Sequence, residues 1–138
     1  MSRIVAVDFG LKKTGIAVTD EFRLIASPLT TVKTESLLEF LINFCKDENV
    51  GLILIGQPKR WDNSFSDIEV NIQEFVNVLM AKIPDIEIKR VDERFTSKLA
   101  FQSIIASGVG KKKRRNKEMV DQISATIILQ DFLASKNS

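Results

Sequence analysis

The sequence predicts an α/β fold: a mixed five-stranded sheet with helices on its faces. Three observations carry that expectation. Three strand-like segments crowd into the first 32 residues with short turns between them, as in an antiparallel meander. From residue 34 onward helical and strand patterns alternate, which calls for a sheet covered by helices. The chain has 138 residues, 44% hydrophobic and 28% charged, which suits one domain over residues 1–138 with a single core.

Arg3 to Phe9 is rich in Ile, Val and Ala and reads as the first strand. A turn around Gly10 to Lys13 leads into a second strand, Gly15 to Thr19. Leu24 to Val32 supplies a third, and Pro28, which cannot donate to a ladder, assigns it to an edge. Thr34 reads as the cap of a helix whose apolar positions Leu37, Leu41, Phe44 and Cys45 keep a helical spacing. VGLILIG, Val50 to Gly56, is a continuous apolar run, as expected of a strand covered on both faces. Ser66 with Glu69 three positions on resembles a capping box, and Ile68, Ile72, Phe75, Leu79 and Ile83 continue a helical stripe. Ile86 to Val91 alternates apolar and charged residues as a fifth strand. A helix from Thr96 to Ser107 stops at Gly108, Gly108 to Lys117 reads as a loop, and a last helix spans Glu118 to Ala134.

Composition excludes whole classes of chemistry. With no His and no Tyr, the chain has no Ser-His-Asp or Cys-His nucleophile system, no His-based zinc site and no His general base. The single cysteine, Cys45, cannot form an internal disulfide and sits where a thiol packs. No apolar run approaches the roughly 18 residues that span a membrane, and no secretory signal pattern opens the chain, so a cytoplasmic location is expected. The net charge of +2 is uneven: Lys111, Lys112, Lys113, Arg114, Arg115 and Lys117 are six of 20 basic residues, leaving 14 against 18 acids elsewhere.

Three carboxylate positions violate the local pattern. Asp8 ends the first strand inside an apolar run. Asp92 and Glu93 end the fifth. Asp121 falls on the last helix in register with Ala125, Ile128 and Phe132, on its core-facing stripe. A buried, uncompensated carboxylate costs several kcal/mol, so each needs a partner. Arg3, Arg90 or Arg94 could neutralise them as structural ion pairs; alternatively, several carboxylates could share a divalent cation such as Mg²⁺ or Mn²⁺.

Four segments, VDFGLKKTGIAVTD, LILIGQPKRWDNS, VDERFTS and VDQISATIILQDFL, together resemble the YqgF family, also called RuvX. This bacterial family is described as Holliday junction resolvases and was later assigned to pre-16S rRNA processing. The resemblance implies a ribonuclease H-like nuclease domain, its first three strands antiparallel and the remainder parallel. It also implies two Mg²⁺ or Mn²⁺ ions at the scissile phosphate, with Asp8 as central ligand, Glu93 as second ligand and Asp121 as helix ligand. Asp92 is the alternative to Glu93. In the wider fold the second acid ends the fourth strand, whereas here that strand ends in Gly56-Gln57-Pro58 without one.

Other polar residues are candidate nucleic-acid contacts. Lys12 and Lys13 follow Asp8 in its turn, Lys59, Arg60 and Trp61 form a basic-aromatic loop, and Arg94 adjoins Glu93. The alternatives are solvated turn lysines, a packed indole and an arginine that holds Glu93. The run from Lys111 to Lys117, just before the helix of Asp121, would draw a polyanion toward it, with steep salt dependence. The leading expectation is a metal-dependent endonuclease for precursor 16S rRNA, acting alone or on ribosomal particles, as a monomer or weak dimer. The alternatives are resolution of branched DNA junctions and a non-catalytic rRNA-binding assembly factor.

Overall fold

Ile4 to Val7 are four consecutive buried residues in a strand covered on both faces. The computed structural model describes residues 2–59, 62, 64–93 and 113–136, the last segment with side chains from residue 119 onward. Five strands, β1 (Arg3–Asp8), β2 (Lys13–Thr19), β3 (Ala26–Lys33), β4 (Val50–Gln57) and β5 (Glu87–Asp92), form one sheet in the order β3-β2-β1-β4-β5. β1–β2 and β2–β3 pair antiparallel, while β1–β4 and β4–β5 pair parallel. β3 is an edge strand, as Pro28 requires, and a register shift in the β2–β3 ladder falls beside it.

Strand alternation sorts the core into two layers. Val5, Val7, Ile53 and Ile55 face α1 (Leu37–Asp47) and α2 (Glu69–Lys82), packing on Leu37, Leu41, Ile72 and Leu79. Ile4, Ala6, Ala17, Leu52 and Leu54 face α3 (Lys113–Lys136), packing on Ala125, Ile128 and Leu129. The small side chains of Ala6, Ala17 and Ala125 allow α3 to approach the sheet closely. Cys45 packs against the first layer, and burial pushes its thiol up to about 11, so it is a core residue as expected. Among the described residues no helix is long and apolar enough to cross a membrane.

Four local expectations are corrected. β3 starts at Ala26 rather than Leu24, because the Asp20 carboxylate binds the backbone N–H groups of Phe22, Leu24 and Ile25 in a turn. Thr34 does not cap α1; it opens a 3₁₀ turn (Thr34–Ser36), and its hydroxyl binds the turn after β1 instead. The capping box does not form: Ile68 holds the N-cap position without a side-chain bond, and Ser66 Oγ is buried without a partner among the described residues. The last helix begins at Lys113 rather than Glu118, so Lys113, Arg114, Arg115 and Lys117 occupy its first turns. The expected helix from Thr96 to Ser107 lies outside the described residues.

Candidate functional site

Ile4 and Ala6 pack beneath α3, so Asp8, two residues further, projects from the same face at the carboxyl end of β1. Its flanks on the adjacent strands are both glycines. Gly15 of β2 lies directly opposite it, and Gly56 of β4 follows Ile55, the partner of Val7.

Each glycine makes room for an acid. A Cβ on Gly15 would fall on the backbone carbonyl of Asp121, so α3 lays its main chain on the sheet beside Asp8. Asp121 is half-buried and one turn before Ala125, on the helix face that meets the sheet. A Cβ on Gly56 would fall on Oε1 of Glu93 and stand 3.0 Å from its Cδ. The Glu93 carboxylate, in a residue only 8% exposed, therefore covers the end of β4, the strand that carries no acid of its own.

Asp92 and Glu93 separate by alternation. Val91 joins the α3 layer, whereas Arg90 reaches α2 on the other face, so Asp92 shares the side of Arg90. Asp8, Glu93 and Asp121 are thus brought to one end of one sheet face, and Asp92 is turned from them.

Two of the expected cationic partners are committed elsewhere. The Arg90 guanidinium binds Glu69 Oε1 at 2.6 Å and Oε2 at 2.9 Å, and donates to the carbonyls of Gly56 at 2.9 Å and Ile55 at 3.3 Å. Glu69 is 4% exposed. Burial alone would raise its pKa, but hydrogen bonds from Arg90 and Gln73, the Arg90 charge and a bond from Gln57 hold it below the ordinary carboxylate value. Arg3 donates to Thr19 O and lies 3.6 Å from Glu48, at the far end of β1. Arg94 lies outside the described residues.

The turn between β1 and β2 is braced by two threonines. Thr34 Oγ1 donates to Gly10 O at 2.6 Å and meets the fully buried Thr14 hydroxyl at 2.9 Å, while Thr34 N–H donates to Lys12 O at 2.9 Å. Lys12 and Lys13 are both exposed there, next to Asp8 in the chain. Neither threonine was expected at the site; a Thr after a Lys at each place, in KKTG and VKTE, gives no warning that their side chains meet.

Lys59 bridges to Phe65 through its backbone, with its ammonium 5.2 Å from the Phe65 ring centre, so that ring engages it. Arg60, Trp61, Lys111 and Lys112 lie outside the described residues. The first turn of α3 contains no acid. Arg114 is seven residues before Asp121, about 10 Å along the helix.

The acids that share this end of the sheet face offer hard carboxylate oxygens, the type that suits Mg²⁺ or Mn²⁺ rather than a soft metal. Among the described residues no three acidic or thiol side chains already form a metal cage. Mg²⁺ is ordinarily held by one or two carboxylates together with waters and substrate phosphates, so the arrangement fits an ion that arrives with its ligands.

The family model of RuvX, described as Holliday junction resolvase, matches residues 2–135. The chain belongs to the RuvX family. A relative from Christiangramia forsetii is 56% identical over 133 residues, covering 96% of this chain and 98% of the relative. One from Bacteroides fragilis is 52% identical over 136 residues, covering 99% of each. Both carry the provisional name pre-16S rRNA nuclease. Among solved structures, Thermus thermophilus RuvC in complex with a Holliday junction substrate superposes with a TM-score of 0.60 at 12% identity, over 100% of this chain and 98% of that one. At that identity the likeness establishes a shared fold, the ribonuclease H-like arrangement that the strand order of this RuvX chain already displays.

Proposed function

We propose that this RuvX protein is a divalent-metal-dependent endonuclease, one domain over residues 1–138, that trims the 5′ end of precursor 16S rRNA in the cytoplasm, acting on the RNA alone or on ribosomal particles. The observation that carries the reading is the pair of glycines beside Asp8, which admit Glu93 from one side and the main chain of Asp121 from the other. The provisional names of relatives more than half identical supply the substrate.

In this mechanism Asp8, Glu93 and Asp121 would hold the metal through carboxylate oxygens. A bound Mg²⁺ or Mn²⁺ would supply Lewis-acid activation of water and charge stabilisation at the leaving oxygen. Asp8 is fixed by its strand, Asp121 by its helix and Glu93 by its seat on Gly56, so little reorganisation accompanies catalysis. The Thr14–Thr34 brace holds the turn that presents Lys12 and Lys13 to a phosphate. Lys59, Arg60, Trp61, Arg94 and the basic run Lys111 to Lys117 extend the contact surface along the RNA. The α3 dipole opposes cations at its amino end, a cost that a bound polyanion would offset.

The test is cleavage of a 5′-extended 16S precursor by the purified protein with Mg²⁺ or Mn²⁺. Asp8→Asn should abolish the cut while RNA binding persists; cutting that survives either the substitution or chelation contradicts the mechanism. The family description and the RuvC fold favour a second reading, resolution of four-way DNA junctions. Paired symmetric cuts need two active sites related by a two-fold axis, so a protein that sediments as a monomer with junction DNA is not a resolvase of this kind.

A further inference from the structure

The strand ends opposite the acids carry a different surface. The turn between β2 and β3 holds Phe22, Leu24 and Ile25 at 65%, 74% and 65% exposure, where polar residues are ordinarily found. This turn is fixed by many bonds. Asp20 Oδ1 accepts the N–H groups of Leu24 at 2.8 Å and Ile25 at 2.7 Å, and Oδ2 accepts that of Phe22 at 3.3 Å. Arg23 takes a left-handed φ of 58°, unfavourable for a residue with a Cβ. Its guanidinium is tied to Ser2, from Nε to O and from Nη2 to Oγ, both at 2.8 Å. The backbone is therefore held so that the three apolar side chains stand outward.

Phe22 and Leu24 overhang a cleft of about 310 Å³ floored by Ile4, Leu52, Phe132 and Leu133. On its rim Lys89 and Lys136 place their ammonium groups 6.0 and 5.5 Å from the Phe132 ring centre. Glu87, 3.7 Å from Lys89, is the one acid lining the cleft among the described residues, against three cations counting Arg23. Ile4 stands about 13 Å along β1 from Asp8, so the cleft is separate from the candidate nuclease site.

We propose that this cleft is a docking site for a protein partner, which inserts a segment bearing two or three apolar anchors flanked by carboxylates. A preformed apolar projection beside an apolar pocket loses little conformational freedom on binding, the condition under which a few side chains dominate affinity. Lys136 and Lys89 complement acidic flanks. RNA fits the surface less well: of the three projecting side chains only Phe22 offers a π-face to a base, whereas Leu24, Ile25 and the cleft floor match aliphatic anchors.

The probe is a displayed library of random linear peptides, panned on the full chain and counter-selected on the double variant Phe22→Ser, Leu24→Ser. Enriched peptides should carry at least two apolar residues and net negative charge. The strongest, made synthetically, should lose about 30-fold in affinity on the double variant. Lys136→Glu should weaken it and favour its lysine-flanked counterpart, a reversal that loss of folding cannot mimic. Cleavage of precursor rRNA and the melting temperature should match the wild type. Peptides that bind the double variant equally, enrichment of basic peptides or no enrichment at all overturns the proposal. Footprinting of single-stranded RNA on Phe22 overturns it in favour of nucleic acid, and a dimer that the double variant dissolves overturns it in favour of a second copy.

Discussion

Two buried glutamates lie at the carboxyl ends of β4 and β5, on opposite faces of the sheet. Glu69 is enclosed by the Arg90 fork, with Gln73 as a further donor, and Arg90 continues to the carbonyls of Ile55 and Gly56. The Glu93 carboxylate lies against the backbone of Gly56, on the sheet face that carries Asp8 and packs beneath the helix of Asp121. The two acids thus occupy different surroundings. A charge enclosed by a bidentate guanidinium is a strut; acids brought from three elements to one end of one sheet face form a candidate site for a cation and a phosphate.

The comparison breaks most sharply at Asp8. Asp8→Asn should lower metal-dependent cleavage by about 10³-fold, the scale of losing a group that stabilises transition-state charge, without lowering the melting temperature. Glu93→Gln should share that pattern of lost rate with intact fold, whereas Asp92→Asn, on the other face, should leave the rate unchanged. Equal losses from both would erase the distinction between neighbouring acids.

The strut should fail in the opposite way. Arg90→Met leaves Glu69 buried without its fork, and denaturant titration should record a loss of about 3–5 kcal/mol. The pair also has a pH signature. Because the folded pKa of Glu69 lies below the ordinary value, its contribution is fully present above the unfolded pKa of about 4.3 and is lost as pH falls through the depressed folded value. Stability of Glu69→Gln should therefore change less with pH in that acid window than stability of the wild type.

The two glycines sharpen the contrast further. Gly15→Ala sets a methyl against helix main chain and should cost about 1–3 kcal/mol or more, because neither backbone can yield. Gly56→Ala meets only the end of a flexible side chain, so melting should stay near the wild type while cleavage falls with displacement of Glu93. The smallest effect belongs to the brace: Thr34→Val should cost about 1 kcal/mol and raise KM for RNA more than it lowers kcat, and Thr34→Ser should restore both.

Much of this was legible beforehand, for identifiable reasons. β1 and β4 announce themselves because strands covered on both faces read as unbroken apolar runs, and Asp8 and Asp121 stand out as charges on those patterns. Glu93, which the resemblance names ahead of Asp92, gains support from the face on which β5 presents each residue, which depends on its pairing with β4. Ser66 and Glu69 spell a capping box whether or not the glutamate turns inward to an arginine 21 residues away. The start of α3 was obscured because lysine and arginine favour helices, yet a dense run of them resembles a loop. Leu24 and Ile25 look like strand residues; only the Asp20 bonds reveal a turn.

Anomalous diffraction at the manganese edge, from crystals soaked in MnCl₂, tests the central claim most directly. A peak bounded by Asp8, Glu93 and Asp121, and absent from Asp8→Asn crystals, is the predicted result. A guanidinium or ammonium group seated among those carboxylates, with no peak there, would contradict it.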